Sequence, residues 1–181
     1  MIKNFIFDLD GTLCDSMGYW HNKVNAYKGC KPTEQMLNDM HRYYTEEIQL
    51  RPGATELLKE AKSLGIRCCI ASATLKWVSE PLLKKTSLGE YIDFYISTAD
   101  VHASKLKPDI YLEAAKRLGA DISECAVFED ADYCAKTARD AGFYVVGIYD
   151  ETSIKDGDVK EQCDLYITSL EDLLPLDKIF R

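Results

Sequence analysis

Ile2-Lys3-Asn4-Phe5-Ile6-Phe7-Asp8-Leu9-Asp10-Gly11-Thr12 is an apolar run that stops at two aspartates. A near-continuous apolar run such as residues 2–7 suits a strand covered on both faces, the usual state of a strand in a parallel sheet. It falls well short of the ~20 apolar residues that a membrane span needs. Asp8 and Asp10 end it, so it does not read as a secretory signal.

The same kind of run recurs downstream. Residues 66–71, 94–97, 125–128, 144–148 and 165–168 are the further strand candidates. Helical patterns separate them: Ala54, Leu57, Leu58, Ala61 and Leu64 keep a helical spacing that Gly65 stops, and Pro108 opens a stretch that runs to Leu118 with Gly119 after it. Residues 131–141 end at Gly142 in the same manner. Pro81 interrupts the helical stretch after Thr74, so a break or a new helix start is expected there. Strands alternating with helices predict an α/β fold with a parallel sheet.

Residues 15–50 break the alternation. They lie between the first strand and the Pro52-Gly53 turn and carry no strand signal. Trp20, Val24 and Tyr27 share one helical face, Leu37, Met40, Tyr44 and Ile48 share another, and Gly29 and Pro32 separate them. This predicts a two-helix hairpin inserted after the first strand, with its apolar faces packed together or onto the core. The domains expected are then 1–14 with 51–181, and the insert 15–50.

The formal charge of −8 over 181 residues argues against non-specific nucleic-acid binding, which rests on Lys and Arg neutralising phosphates. A phosphorylated ligand would need a metal ion or a few placed cations. Seven cysteines without a C-x-x-C pair fit neither a disulfide framework nor a zinc site, and read as free thiols in a reducing cytoplasm. Cys68, Cys69 and Cys125 sit in strand-like runs and read as small core residues.

In an open parallel sheet, ligands bind beyond the carboxyl ends of the strands. Asp8, Ser72 and the pair Glu129-Asp130 each end or follow a candidate strand and so fall at that edge, while Lys105 and Lys107 lie in the loop after residues 94–97. Asp8, Asp10, Glu129 and Asp130 would repel one another if ionised together, and a hard divalent cation such as Mg2+ with oxygen ligands offsets that repulsion. Taken singly, Asp10-Gly11 also reads as a turn and Glu129-Asp130 as a helix start.

These residues resemble the motifs of the haloacid dehalogenase-like hydrolase superfamily. Asp8-Leu9-Asp10-Gly11-Thr12 is similar to its D-x-D-G-T motif, and Ser72 in Ala71-Ser72-Ala73 to the second-motif Ser/Thr. Lys105-Leu106-Lys107-Pro108-Asp109-Ile110-Tyr111 resembles K-P-x-P-D-x-F/Y, and Val127-Phe128-Glu129-Asp130 with Ala141-Gly142 resembles the fourth motif. Three positions depart from the pattern: Leu106 stands where Pro is usual, Ala131 where Ser is usual and Cys134 where Gly is usual. The Leu106 departure leaves the lysine open between Lys105 and Lys107.

The resemblance implies a Rossmann-like core with the insert as a short helical cap. It implies a cytoplasmic phosphatase of a small phosphorylated metabolite, a monomer or homodimer, with no membrane partner. Asp8 would be the nucleophile, Asp10 the acid and base. Ser72 and Lys105 would hold the phosphoryl oxygens, alongside Gly11, Thr12 and Ala73. Mg2+ would be held by Asp8, Asp130 and the Asp10 backbone carbonyl, and Glu129 would orient Lys105 or a metal-bound water. A phosphomutase of the β-phosphoglucomutase type uses the same motifs, and a non-catalytic phospho-acceptor module is the reading from another class. A dehalogenase has no leaving alkoxide to protonate, which leaves Asp10 without a task.

Overall fold

The computed structural model describes residues 1–24, 33–155 and 157–176. Six strands form one parallel sheet: β1 (Asn4–Phe7), β2 (Arg67–Ser72), β3 (Phe94–Ser97), β4 (Cys125–Glu129), β5 (Tyr144–Ile148) and β6 (Leu165–Ile167), in the order β3-β2-β1-β4-β5-β6. All six expected strands form, with ends shifted by at most two residues. The chain builds outward from β1 on one side and then returns to its other side at β4. That reversal leaves a crevice beyond the carboxyl end of β1, where ligands bind in sheets of this kind.

Alternation along each strand divides the core into two layers. Phe5, Phe7, Cys68, Ile70, Ala126 and Phe128 face one layer, and Ile6, Cys69, Ala71, Cys125 and Val127 face the other. Both sets are fully buried or nearly so, which is why the strands read as continuous apolar runs. The rings of Phe5 and Phe128 meet edge to face, 4.9 Å between centroids.

The first layer is covered by α2 (Glu34–Glu46), α3 (Ala54–Ser63) and α4 (Lys76–Lys85), and the second by α6 (Asp109–Leu118) and α7 (Asp132–Asp140). Between β1 and α2, the short helix α1 (Met17–Tyr19) continues as a π-turn (Trp20–Val24). The turn α5 (Thr98–Val101) follows β3. The expected separators Gly29 and Pro32, and the face position Tyr27, lie outside the described residues. Met40 and Tyr44 of α2 and the following Ile48 are buried, as their spacing predicts.

The two ends of the 15–50 stretch meet. Cys14 and Leu50 form an isolated antiparallel bridge, flanked by the bonds Asp15 N–H to Gln49 O (3.0 Å) and Arg51 N–H to Leu13 O (2.9 Å). The segment therefore leaves and re-enters the fold at one point. No helix among the described residues is long and apolar enough to cross a membrane.

The expectation at Pro81 is corrected. Instead of a break, α4 runs unbroken through it. Proline lacks the N–H that would bond the carbonyl four residues back, and that carbonyl belongs to Trp77. His41 of α2 supplies the missing donor: its Nδ1 lies 3.0 Å from Trp77 O, and because a carbonyl only accepts, Nδ1 carries the proton. The two rings also stack, 5.5 Å between centroids. The group that proline withholds from its own helix is thus replaced from its neighbour, and α2 is docked on α4. In urea denaturation, His41→Ala should cost about 1 kcal/mol. In a Pro81→Ala background, where the helix supplies its own N–H, the same change should cost clearly less; equal costs would disprove the coupling.

Candidate active site

Asp8 follows β1 directly, and Asp8 N–H bonds Phe128 O (2.9 Å), which extends the β1–β4 pairing by one residue. Glu129 ends β4 and Asp130 follows it. The three carboxylates are buried, each with an oxygen within 4.8 Å of the others. Lys105 is buried among them. Its Nζ donates to an Asp8 oxygen and to Glu129 Oε1 at 2.7 Å, and Tyr111 donates its hydroxyl to that same Glu129 oxygen at 2.7 Å. Lys107, the other lysine candidate, is exposed.

Three carboxylates share one ammonium in a buried site, so charging all of them would leave an uncompensated negative excess. The proton affinities respond to this. Burial pushes the Asp8 carboxyl well above its usual range, with Lys105 pulling it back. Burial, with Glu129 adding to it, pushes Asp130 up to about 7. Burial works against the charged Lys105, but Asp8 and Glu129 together hold its proton affinity above the ordinary lysine value. A divalent cation would supply the missing positive charge, and an all-oxygen donor set suits a hard one.

Asp10 is held differently. Oδ1 accepts from Ser16 Oγ (2.6 Å) and from the Tyr44 hydroxyl, and Oδ2 accepts from Thr74 Oγ1 (2.7 Å) and, loosely, from Ser72 Oγ (3.4 Å). Ser72 Oγ itself accepts Thr74 N–H at 3.0 Å. Thr12 donates to Asp130 Oδ1 at 3.3 Å. Gly11 has φ +84°, and a Cβ there would come within 2.3 Å of Asp130 Oδ2, so only glycine lets the two motif segments approach this closely. A cavity of about 400 Å³ opens above the cluster, lined by Asp8, Asp10, Ala73, Lys105, Asp130, Trp20, His21 and Tyr133 among others.

Several participants have no motif behind them. Tyr44, Ser16 and Thr74 reach Asp10 from three separate segments. Tyr111 was legible only as the last letter of the lysine motif. Arg51 donates to Gly11 O, Tyr149 O and Asp150 Oδ2 (3.0 Å for the last). Asp150 Oδ1 in turn accepts Thr152 and Ser153 N–H (2.8 and 2.9 Å), and Ser153 Oγ bonds Asp130 Oδ2. Arg51 thus ties the Gly11 turn to the segment after β5 that holds Asp130.

A parallel sheet with this strand order and a buried carboxylate-lysine cluster at its central edge defines an α/β protein with a polar site beyond the carboxyl end of β1. The family profile described as haloacid dehalogenase-like hydrolase matches residues 30–142, and the chain belongs to that family. The matched span starts beyond Asp8 and Asp10, whose place rests on the geometry above. The chain is 30% identical over 191 residues to protein CbbY of Rhodobacter capsulatus, covering 80% of this chain and 84% of that one. It is 27% identical over 205 residues to hexitol phosphatase A of Escherichia coli (strain K12), covering 94% and 93%. The crystal structure of CbbY from Rhodobacter sphaeroides in complex with phosphate shares the fold with a TM-score of 0.77 at 21% identity, covering 96% and 97%. The chain falls among the phosphatases of its family.

The Arg51–Asp150 pair is largely buried, with side chains 15% and 8% exposed. Breaking a buried pair from one side leaves an uncompensated charge. Arg51→Met should therefore destabilise the fold by about 3 kcal/mol or more, read by urea denaturation; a loss near zero would show that the pair is solvated and the clamp idle.

Proposed function

We propose that the protein is a magnesium-dependent phosphatase that hydrolyses a small phosphate monoester, of a sugar or polyol, through an aspartyl-phosphate on Asp8. The observation that carries this is the bond from Lys105 to Asp8 within the buried Asp8–Glu129–Asp130 cluster. The substrate class draws on the cavity, of a size for a small metabolite, and on the relative named hexitol phosphatase A.

Asp8, Asp130 and Glu129, with the Asp10 backbone carbonyl, would hold Mg2+, which when bound neutralises the site and draws charge from the phosphoryl oxygens. The Asp8 carboxylate attacks phosphorus and the ester oxygen leaves. Asp10, two residues on and facing the same cavity, protonates that leaving oxygen, then takes a proton from the water that hydrolyses the aspartyl-phosphate. Lys105 holds a phosphoryl oxygen as negative charge redistributes, and Glu129 with Tyr111 fixes Lys105. The loose 3.4 Å contact of Ser72 with Asp10 leaves its hydroxyl able to turn to a phosphoryl oxygen, with Ala73 beside it. Gly11 and Thr12, which do not line the cavity, act on it through Asp130: Gly11 admits its close approach and Thr12 donates to it.

In this reading residues 1–14 and 51–181 are the catalytic core and residues 15–50 a short cap that shelters one side of the cavity. The six described cysteines carry no disulfide, which suits a cytoplasmic enzyme.

Asp8→Asn keeps the shape and removes the attacking charge, so phosphate release should fall by several orders of magnitude; retention of more than about a tenth of wild-type turnover would remove Asp8 from this role. Wild type should release one inorganic phosphate per ester consumed, whereas a positional isomer accumulating in its place would mark a mutase. Magnesium binds only the folded site, so millimolar Mg2+ should raise the melting temperature over an EDTA control. Asp130→Ala should blunt that rise, and identical wild-type curves with and without the ion would count against the metal site.

A further inference from the structure

We propose that the Tyr44 hydroxyl is a positioning group for Asp10, so that the inserted segment takes part in the chemistry by anchoring the proton-transfer residue. The inference rests on the phosphatase reading above and assigns a task within it.

With Asp10 as the carboxylate, the directions of the Trp20, Tyr44 and Thr74 protons follow by elimination. The Trp20 indole N–H can only donate, and it points at the Tyr44 oxygen at 3.2 Å. The Tyr44 oxygen therefore accepts there, and its own proton goes to Asp10 Oδ1. Thr74 spends its one hydroxyl proton on Asp10 Oδ2 at 2.7 Å, so the 3.4 Å approach of Tyr44 to Thr74 carries neither of those protons. A carboxylate offers about four acceptor directions, and four hydroxyls fill them. The two oxygens are not alike. Oδ1 is gripped by Ser16 and Tyr44, whereas one of the two contacts on Oδ2 is the loose Ser72 bond. Oδ2 is therefore the oxygen that gives up a hydroxyl contact to carry the transferable proton and meet the substrate, and Oδ1 is the anchor about which the carboxyl is aimed.

Tyr44 can serve as an anchor because it cannot move. Its side chain is fully buried, and one turn earlier on the same helix face His41 docks α2 on α4 through the carbonyl that Pro81 leaves open. Ser16 alone would leave Oδ1 held from within its own short loop. Tyr44 ties it to a helix that packs on the core.

A misaimed Asp10 harms the two steps that use its proton, departure of the ester oxygen and the later hydrolysis, and in the first of these the harm depends on the leaving group. An alkoxide leaves poorly without a proton, and p-nitrophenolate leaves without help. The test is kcat/KM, which reports the steps through ester cleavage and excludes the later hydrolysis of the aspartyl-phosphate. Glycerol 2-phosphate and p-nitrophenyl phosphate are the two probes, with Mg2+ present. Tyr44→Phe should lower kcat/KM about tenfold for the alkyl ester but only about twofold for the aryl ester, part of the full value of a general acid. In an Asp10→Ala background the Tyr44 change should add nothing. Should Tyr44→Phe fail to fold, Trp20→Phe, which frees the Tyr44 proton from its fixed direction, should show the same alkyl-selective loss at smaller size. Equal losses on both esters, no loss on either, or a further loss without Asp10 overturns the assignment while leaving the phosphatase reading intact. A wild type that releases phosphate from neither probe nor from any other ester overturns both.

Discussion

The bond between the buried Lys105 and Asp8 is the interaction on which the rest of the site depends. Asp8, Glu129 and Asp130 are brought together by the pairing of β1 with β4, because the register that sets Phe7 beside Phe128 puts their successors side by side. Sheet formation thus forces like charges into a region closed to water. Taking such groups from water costs several kcal/mol each unless they are paired and hydrogen-bonded. Lys105, reaching in from the loop after α5, is the one ammonium among the described residues that meets both Asp8 and Glu129.

Much of the surrounding structure reads as a consequence of that charge. Tyr111 donates to Glu129, Thr12 and Ser153 donate to Asp130, and Arg51 neutralises Asp150 at the edge of the group. None of these contacts is needed by the sheet itself. They satisfy acceptors that the sheet has buried, and in doing so they hold each carboxylate at a set angle. The negative charge left over is what makes the place suited to a cation and a phosphoryl group together.

Asp10 belongs to a separate system a few ångströms away, supported by hydroxyls rather than by a cation. In the proposed reaction that difference suits the two carboxylates to different work, one to attack and the other to move protons, because their surroundings set them apart. The hydroxyl system also binds the 15–50 segment into the site. Its two ends close on the Cys14–Leu50 bridge, α2 is docked by His41 on α4, and Tyr44 reaches the carboxylate between them.

The sequence by itself determined the six strands, the helices ended by Gly119 and Gly142, and the edge at which Asp8, Ser72, Glu129 and Asp130 collect. These are local matters: a strand buried on both faces must be apolar throughout, and a motif residue that follows a strand must emerge at its carboxyl end. The choice of Lys105 over Lys107 as the lysine of the cluster was decided only by the tertiary structure, since the Leu106 departure left the register open and only the path of the loop puts one ammonium inside and the other in water. The continuity of α4 through Pro81 was likewise hidden, because the donor that repairs the helix is 36 positions away in the chain on another helix. The hydroxyls of Ser16, Tyr44 and Thr74 around Asp10 and the Arg51–Asp150–Ser153 line to Asp130 had no pattern to find. Serine, threonine, tyrosine and arginine are ordinary residues wherever they stand, and only the folding of distant segments onto one sheet edge makes a site of them.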